Sequence, residues 1–454
     1  EMCIRDSGTT VPFPARTTSS VMLRSQLIGL CVALVIVLVA LSDAKPLQAG
    51  RDEALYQKRQ ASMSEQVAVQ VQSWYDPVGA AKKVLTFPCV TCKNEPLWSK
   101  NNNISGTGDD QQVPWARHAY FSPNPWPIGV DKTGYFAIPK RWDMFKLNRS
   151  FTVEHKGQRA VAPFYVNADY NPETIERAVF VWPGQWRNSW VYANLMGNAY
   201  RIAQQYSELN VHPNTTLIVA PTFLNELDLR LGSVKENEVS YKGTGWSMGG
   251  LVHHPKSLKG ASSFEVVDQF IEMLTDSEQF PNMKKVVMVG HSLGAQATQR
   301  YALLAKPKSY ESKLKFWIGD PGAWVWTEQG RTNITSNLTS SSFDWPYGFK
   351  NAKKVPAFAR HRAHNGGREL IDVYHSRKIH YAFALNDNGP GNTHDAPEQE
   401  GPNRISRSAA YIVALGSDTD LFKKHHTVDF VPGISHQDYP MLAYYGSIKS
   451  IFSL

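Results

Sequence analysis

The sequence predicts an α/β fold whose mostly parallel sheet carries helices on both faces. From Arg177 onwards, short apolar runs that end in turn residues alternate with stretches of helical periodicity. Continuous apolar strands separated by helices are typical of a parallel sheet buried on both faces. A second observation is VVMVGHSLGAQATQRYALL, where an apolar strand enters a helix through G-x-S-x-G around Ser292. A third is a long aromatic-rich excursion at 321–378 between two strands.

The predicted strands of this sheet are, in chain order, AVFVWPG, TLIVAP, KKVVMVG, KLKFWIGD, KIHYAFALND and HHTVDFVPG. Helices are predicted at SWVYANLMGNAYRIAQQYSEL and SFEVVDQFIEMLTDSEQF, and upstream SFTVEH and AVAPFYV form a candidate hairpin around KGQR. The excursion at 321–378 is interpreted as a cap inserted over a site, because so long a loop in a compact domain usually has a function. A glycosylated surface insertion is the alternative.

Several segments precede the predicted sheet. Residues 1–21, which open with EMCIRDS, are interpreted as a non-native leader, and 22–44 as a signal peptide. That segment has a basic start, an uncharged apolar stretch and small residues before a cleavage point after Ala44. The apolar stretch is short for a membrane span, so secretion is favoured over an uncleaved anchor. Residues 45–75 are interpreted as a linker or a solvated helix, and 76–149 as an irregular extension.

Cysteines and sequons are consistent with secretion. Cys89 and Cys92 are the cysteines that follow the predicted signal peptide. A C-x-x-C pair can be half a zinc site, a redox dithiol or a local disulfide, and a structural disulfide is favoured in an oxidising compartment. N-x-S/T sequons, which are acceptor sites in secreted glycoproteins, occur at Asn103, Asn148, Asn214, Asn333 and Asn337.

Composition limits the classes of partner. The chain is 42% hydrophobic, enough for a large core, and its formal charge is +8. The basic residues are dispersed, with nothing longer than pairs such as Lys82-Lys83, which argues against nucleic-acid binding. Attraction to anionic cell-surface or wall polymers is compatible with this charge. We expect no metal and no organic cofactor, and the sequence leaves the oligomeric state open.

The candidate chemistry centres on Ser292, which we predict to be a nucleophile. Gly290 and Gly294 leave space for a strained turn that exposes the hydroxyl at the edge of the sheet. A serine hydroxyl reacts only when a base takes its proton and a third group orients that base. In this strand order the acid follows a later strand and the histidine follows the last one. Asp387 and His436 occupy those positions.

The histidine is better defined than the acid. His425 and His426 open the last strand and should face the opposite edge of the sheet. For the acid, Asp387 is favoured, but Asp395 lies further along the same loop and Asp320 follows the preceding strand. Any of these carboxylates could instead cap a turn.

An oxyanion hole requires two N–H groups directed at the developing charge. One is predicted to come from Leu293, the residue after the nucleophile, and the other from Gln185 in the turn after an early strand. The position of Gln185 beside Gly184 is the basis for the second assignment.

The sequence resembles a family of secreted fungal and bacterial α/β-hydrolases. The resemblance covers 150–450 and rests on PGQWRNSWVYANLM, TLIVAPTF, GWSMGG, SSFEVVDQFIEML, the elbow and its helix ending QRYA, DWPYGF and EGPNRISRSAAYIVAL…VPGISHQDYPM. It implies an α/β-hydrolase fold for 150–454. Family members carry an acidic loop like LGxxDxDP, and alignment with FALNDNGP favours Asp387. Two departures are Trp182-Pro183-Gly184, where many hydrolases have His-Gly, and the absence of a cysteine from THDAPEQEG.

Together these observations predict a secreted serine hydrolase that cleaves a small-molecule or lipid-like carboxylic ester through an acyl-enzyme. Peptidase and thioesterase chemistry use the same scaffold and stay open. So does a non-catalytic secreted binding protein on a hydrolase scaffold, or a wall- or membrane-attached surface protein. We expect no stable membrane span after Ala44.

Overall fold

The computed structural model describes residues 61–87, 110–327, 343–417 and 420–454. The predicted leader and signal peptide lie outside these ranges, as do the possible disulfide Cys89–Cys92 and the sequons at Asn103, Asn333 and Asn337. The two remaining sequons differ: Asn214 is exposed in a turn, whereas Asn148 ends a strand and its side chain accepts the Ser150 N–H.

The strands and the α-helices of the described residues are numbered separately, each in chain order. The strands are β1 (Ile128–Val130), β2 (Gly134–Ala137), β3 (Arg141–Trp142), β4 (Phe145–Asn148), β5 (Thr152–His155), β6 (Gln158–Val161), β7 (Phe164–Asn167), β8 (Arg177–Val181), β9 (Thr216–Pro221), β10 (Lys285–His291), β11 (Leu314–Gly319), β12 (Ile379–Ala384) and β13 (His426–Val431). The α-helices are α1 (Met63–Ser73), α2 (Pro77–Val84), α3 (Ser189–Ala203), α4 (Glu226–Leu231), α5 (Ser263–Thr275), α6 (Leu293–Leu304), α7 (Arg368–Ser376), α8 (Asp395–Glu398), α9 (Arg404–Leu415), α10 (Leu421–Lys424), α11 (Asp438–Ala443) and α12 (Tyr445–Phe452).

The main sheet has nine strands in the order β13-β12-β11-β10-β8-β9-β7-β4-β3. The strands from β8 to β13 pair in parallel, and β7, β4 and β3 continue the sheet antiparallel. Strand β10 lies between β8 and β11, so the segment carrying Ser292 leaves the middle of the sheet. The predicted α/β-hydrolase fold, with its mostly parallel sheet, is confirmed.

The central strands form because both of their faces are covered. In β10, Val286 and Met288 belong to the core that also contains residues of α5, α6 and α9. Val287 and Val289 are equally buried and point to the other face, since side chains alternate along a strand. Helices α3 and α12 contact each other and the sheet. This two-sided burial explains the continuous apolar runs in the sequence.

The predicted hairpin forms, with a shorter second strand. Strands β5 and β6 pair antiparallel around Lys156 and Gly157, which both have positive φ as a tight hairpin turn requires. Pro163 then interrupts AVAPFYV, because proline cannot donate to a ladder, and β7 joins the main sheet instead.

The N-terminal segments are more ordered than the sequence indicated. The described part of the predicted linker 45–75 contains α1, which packs against β13. Its buried positions include Gln66 and Gln70, so hydropathy alone gave no apolar stripe. The predicted extension 76–149 contains β3 and β4, so the main sheet begins before residue 150.

The described part of the excursion 321–378 contributes aromatic side chains to the main hydrophobic core. Trp324, Trp326, Trp345 and Phe349 are buried, and Trp324 stacks on Tyr411 of α9 at a centroid distance of 4.1 Å. These rings therefore stabilise the excursion, and their role as a cap stays a prediction. No helix in the ranges described above combines the length and apolar character needed to cross a bilayer.

Candidate active site

Ser292 stands in the sharp turn between β10 and α6. Its φ of 56° and ψ of −121° lie outside the usual regions, and its N–H donates to the Gly319 carbonyl at 2.9 Å. A Cβ on Gly290 would lie 2.1 Å from the Gly294 carbonyl oxygen, and a Cβ on Gly294 would lie 2.9 Å from the Pro183 oxygen. The turn therefore requires both glycines, and it leaves Ser292 half-buried at the carboxyl edge of the sheet.

The structure brings Ser292, His436 and Asp387 together. His436 Nε2 lies 2.9 Å from Ser292 Oγ, and His436 Nδ1 lies 2.7 Å from Asp387 Oδ2. The Asp387 side chain is fully buried, while that of His436 is 18% exposed. These residues follow β10, β13 and β12, whose carboxyl ends meet at one edge because the strands are parallel.

The environment of Asp387 keeps it ionised. Burial alone would raise its pKa, but the nearby charges of His436 and Arg404, with the His436 hydrogen bond, hold the pKa below its usual range. Arg404 Nη1 donates to the second carboxylate oxygen, Oδ1, at 3.1 Å. A carboxylate only accepts, so the proton of the His436 imidazole lies on Nδ1 and Nε2 can accept from Ser292.

The structure places the alternative residues elsewhere. Asp320 contacts His291 instead, with Oδ2 3.2 Å from Nε2, and its Oδ1 accepts the Ala384 N–H at 2.9 Å. Asp395 opens the short helix α8. His426 begins β13 at the far edge of the sheet, as the sequence predicted. Among the described residues, the carboxylate that accepts a hydrogen bond from His436 is that of Asp387.

A second histidine, His291, lies directly behind the first. Its ring centroid is 4.7 Å from that of His436, and it is fully buried with Nδ1 hydrogen-bonded to Asp438 and Nε2 facing Asp320. Burial alone would lower the pKa of His291, but the charge and hydrogen bond of Asp438, with those of Asp320, raise it to about 10. Tyr192 donates its hydroxyl to Asp438 Oδ1 at 2.7 Å.

The two carboxylates beside His291 have different protonation tendencies. Burial alone would raise the pKa of Asp438, but the charge and the hydrogen bond of His291 lower it overall. Burial raises the pKa of Asp320, and repulsion from Asp387 adds to that effect. We therefore interpret Asp438 and His291 as an ion pair whose imidazole is fully buried and whose carboxylate is 26% exposed, with Asp320 as its more readily protonated neighbour.

His291, Asp320 and His436 each offer a potential metal-ligand atom, and these atoms lie within 4.8 Å of one another. The hydrogen bonds described above already use both imidazole nitrogens of each histidine. The cluster is therefore accounted for as a proton network, and the expected absence of a metal stays a prediction.

The two predicted oxyanion donors stand on elements in direct contact. Leu293 is the first residue of α6, and the first N–H groups of a helix have no partner within it. The close approach of Gly294 to the Pro183 carbonyl holds this helix end against the turn that carries Gln185. Within the described ranges, neither the Leu293 nor the Gln185 N–H donates a hydrogen bond to the protein. Both amides are therefore available to an anion.

Sequence reasoning missed several residues that hold this arrangement. Asp438 lies two residues beyond His436 in the quoted tail, and Arg404 lies in EGPNRIS, so both were in segments singled out for resemblance. His291 is part of the elbow motif itself. Nothing in the sequence pointed to Gln66 of α1. Its two hydrogen-bond partners, Asn386 and Gly433, lie more than three hundred residues away in the chain.

The sequence matches no protein-family model and no curated protein. Among solved structures it is similar to poly(aspartic acid) hydrolase-1 from Sphingomonas sp. KT-1, with 14% identity and a TM-score of 0.45 over 66% of this chain and 97% of that one. It is also similar to LpqC, a poly(3-hydroxybutyrate) depolymerase from Bordetella parapertussis, with 18% identity and a TM-score of 0.38 over 63% and 85%. An IroE-like serine hydrolase from Shewanella oneidensis shares 13% identity, with a TM-score of 0.36 over 68% and 80%.

Proposed function

We propose that this protein is a serine hydrolase that cleaves carboxylic esters through an acyl-enzyme. The observation that carries the proposal is the hydrogen-bond chain from Ser292 Oγ through His436 to Asp387, with distances of 2.9 and 2.7 Å. Both distances are within the range at which a base accepts a hydroxyl proton and an acid orients that base. A binding protein free of this chemistry has no need for all three groups in this order.

In the proposed reaction, Ser292 Oγ attacks the ester carbonyl carbon while His436 Nε2 takes the hydroxyl proton. The imidazolium then gives that proton to the departing alkoxide, the carbon–oxygen bond breaks, and the acyl group stays on Ser292. Water then attacks the acyl carbon while His436 takes its proton; the bond to Ser292 Oγ breaks, His436 returns the proton to that oxygen, and the acid is released. Asp387 stays ionised throughout and stabilises the imidazolium, in keeping with its lowered pKa.

The N–H groups of Leu293 and Gln185 are the proposed donors to the tetrahedral oxyanion. Such donors stabilise the negative charge that develops on the carbonyl oxygen in the transition state. Loss of one donor lowers the rate by a factor of ~10²–10³. The proposed substrates are small or lipid-like esters, and they can reach the site because Ser292 and His436 are both partly accessible. Amides and thioesters use the same groups and belong in the substrate screen.

The test is labelling with a fluorophosphonate probe, followed by identification of the modified peptide by mass spectrometry. We expect an adduct on Ser292 that is lost in His436→Ala, and hydrolysis of p-nitrophenyl esters of graded chain length. Ser292→Ala should lower kcat by ~10⁴–10⁶ with the fold retained. Unchanged turnover in Ser292→Ala would remove this serine from the mechanism, and a folded protein that neither labels nor hydrolyses would favour a binding protein.

We also propose, from the sequence alone, that the protein is secreted, with cleavage after Ala44. A Cys89–Cys92 disulfide and glycosylation at the sequons belong to the same proposal. Intact mass of the secreted protein tests it, since a first residue of Lys45 excludes an uncleaved anchor. A mass unchanged by enzymatic deglycosylation would contradict the glycosylation.

A further inference from the structure

The β1–β2 hairpin and the residues beside it expose large apolar side chains. Trp126 is 83% exposed, Ile128 66%, Val130 57% and Phe136 58%. Trp186, in the turn after β8, is 55% exposed. We call these five residues the hairpin surface. Single exposed apolar residues are ordinary, whereas a concentration of them on one short element marks a contact site.

The opposite face of the hairpin is packed against the protein. Tyr135, which neighbours Phe136 and points the other way, sets its ring edge-on to Trp190 at a centroid distance of 4.8 Å. The Tyr135 hydroxyl donates to the Trp186 carbonyl at 2.9 Å. The hairpin is therefore anchored on one side and apolar on the side that faces solvent.

This anchoring connects the hairpin to the candidate active site. Arg187 Nη2 donates to the Asp131 carbonyl at 3.0 Å, and Arg187 also forms a buried ion pair with Asp228. Asp228 in turn accepts the Tyr135 N–H at 2.9 Å. Since Arg187 follows the turn that carries Gln185, the hairpin is fixed to the element proposed to hold the oxyanion.

The charges beside the hairpin surface are two exposed lysines and the half-buried Asp131 of the hairpin turn, which sum to a net positive charge. Lys132 in the hairpin turn and Lys140 beyond it are exposed, and in the described part of the chain neither forms an ion pair. The acidic neighbour Asp143 is already paired with Arg201 at 2.6 Å. Uncompensated cations beside exposed aromatic rings are complementary to an anionic surface with an apolar interior. The chain as a whole carries +8.

We propose that the hairpin surface docks the protein on lipid surfaces that carry anionic headgroups. Trp126, Ile128 and Phe136 enter the headgroup–acyl boundary, and Lys132 and Lys140 pair with the headgroups. Docking in this orientation presents the turn at Gln185, and with it Ser292, to esters in the lipid. The delivery of substrate rests on the proposed function, whereas the docking itself does not.

Binding is measured with the Ser292→Ala protein by cosedimentation with vesicles of phosphatidylcholine and phosphatidylglycerol. The test variant adds Trp126→Ser, Ile128→Ser and Phe136→Ser, and the matched control adds Tyr75→Ser and Leu251→Ser, which are exposed elsewhere at 77% and 53%. We expect the test variant to bind at least about tenfold more weakly and the control to bind as the parent does. Pure phosphatidylcholine and high salt should weaken binding by the parent.

Equal binding by the parent and the test variant, or no binding by the parent, would overturn the proposal. So would a dimer of the parent that the test variant loses in sedimentation velocity, since the surface would then belong to a second copy of the chain. Thermal unfolding checks that all three proteins are folded.

With Ser292 restored, the ratio of turnover on an ester embedded in vesicles to turnover on dissolved p-nitrophenyl acetate should fall in the test variant. Absence of turnover on the dissolved ester in every protein would count against the proposed hydrolase function. The vesicle-binding result would still decide the docking proposal in that case, so the two failures are distinguishable.

Discussion

Gln66 Oε1 accepts the N–H of Gly433 at 2.9 Å. The same side chain donates through Nε2 to Asn386 Oδ1, also at 2.9 Å. Asn386 directly precedes Asp387, and Gly433 lies in the turn that leads to His436. One buried amide on α1 therefore joins the loop of the acid to the loop of the histidine.

We expect Gln66→Ala to lower kcat by about 10–100-fold, because small displacements of catalytic groups are costly in rate. Gln70→Ala is the matched control, since Gln70 is equally buried on the same helix but bonds to Asp429 in β13. Steady-state kinetics with p-nitrophenyl esters and circular dichroism measure the two effects. If both variants lost activity equally, the loss would reflect docking of α1 and not the link between the loops.

Asp387→Asn is expected to lower kcat by ~10⁴, because the amide no longer holds His436 in the tautomer that accepts from Ser292. Asp320→Asn should lose much less, since Asp320 contacts His291 and the Ala384 N–H. Kinetics at one pH on both purified variants distinguish the carboxylates. Equal losses would contradict the assignment of Asp387 as the orienting acid.

Gly294→Ala tests the contact between the start of α6 and the oxyanion turn. The new Cβ would meet the carbonyl oxygens of Pro183 and Trp182 at 2.9 and 3.1 Å, so the two elements must separate. We expect kcat to fall by up to ~10²–10³-fold, which is the loss that follows removal of one oxyanion donor. The folded state should also be destabilised by roughly 1–3 kcal/mol. At Gly245 a Cβ meets nothing within 4 Å, so Gly245→Ala should leave kcat unaltered.

The ion pair of His291 predicts a pH dependence of stability. The pKa of His291 rises from about 6.5, the ordinary value for histidine, to about 10 on folding, so the folded state binds the proton more tightly. The resulting stabilisation is complete below pH 6.5 and disappears as the pH rises through the folded-state pKa of about 10. The difference in unfolding free energy between the parent and His291→Gln should therefore shrink over this window, by up to about 1.4 kcal/mol per pH unit.

Urea unfolding at several pH values measures that difference. His118→Gln, at an exposed position, should follow the parent at every pH. A constant difference between the parent and His291→Gln across the window would show that the ion pair contributes nothing through its proton.

The predictable parts of the site are those fixed by strand order. Ser292, Asp387 and His436 each follow a strand that apolar periodicity reveals, and parallel pairing then brings the three loops to one edge. Gln66 could not be found in this way, because its partners depend on how α1 docks. The segment that contains this helix was interpreted as a linker or a solvated helix, since hydrogen-bonded glutamines occupy two of its buried positions.

The packing of the aromatic excursion and the presence of the N-terminal strands were not predictable from the sequence, for a related reason. The burial of Trp324 and Trp345 in the main hydrophobic core depends on long-range packing that periodicity does not reveal, and their role as a cap stays a prediction. Strands β3 and β4 are short and lie at the antiparallel end of the sheet, where alternation over two to four residues carries little information.

The link through Gln66 also bears on how the chain matures. The hydrogen bond between Gln66 and Gly433 joins residues that are 367 positions apart in sequence. Contacts of such large sequence separation raise the contact order of the fold. The entropy cost of closing a loop grows with its length, so this contact is costlier to close than the pairing of β10 with β11. A nascent chain on the ribosome would hold Ser292 in a formed elbow well before residue 433 is synthesised. Hydrolytic competence would then arise only after the segment that carries Gly433 and His436 has been synthesised.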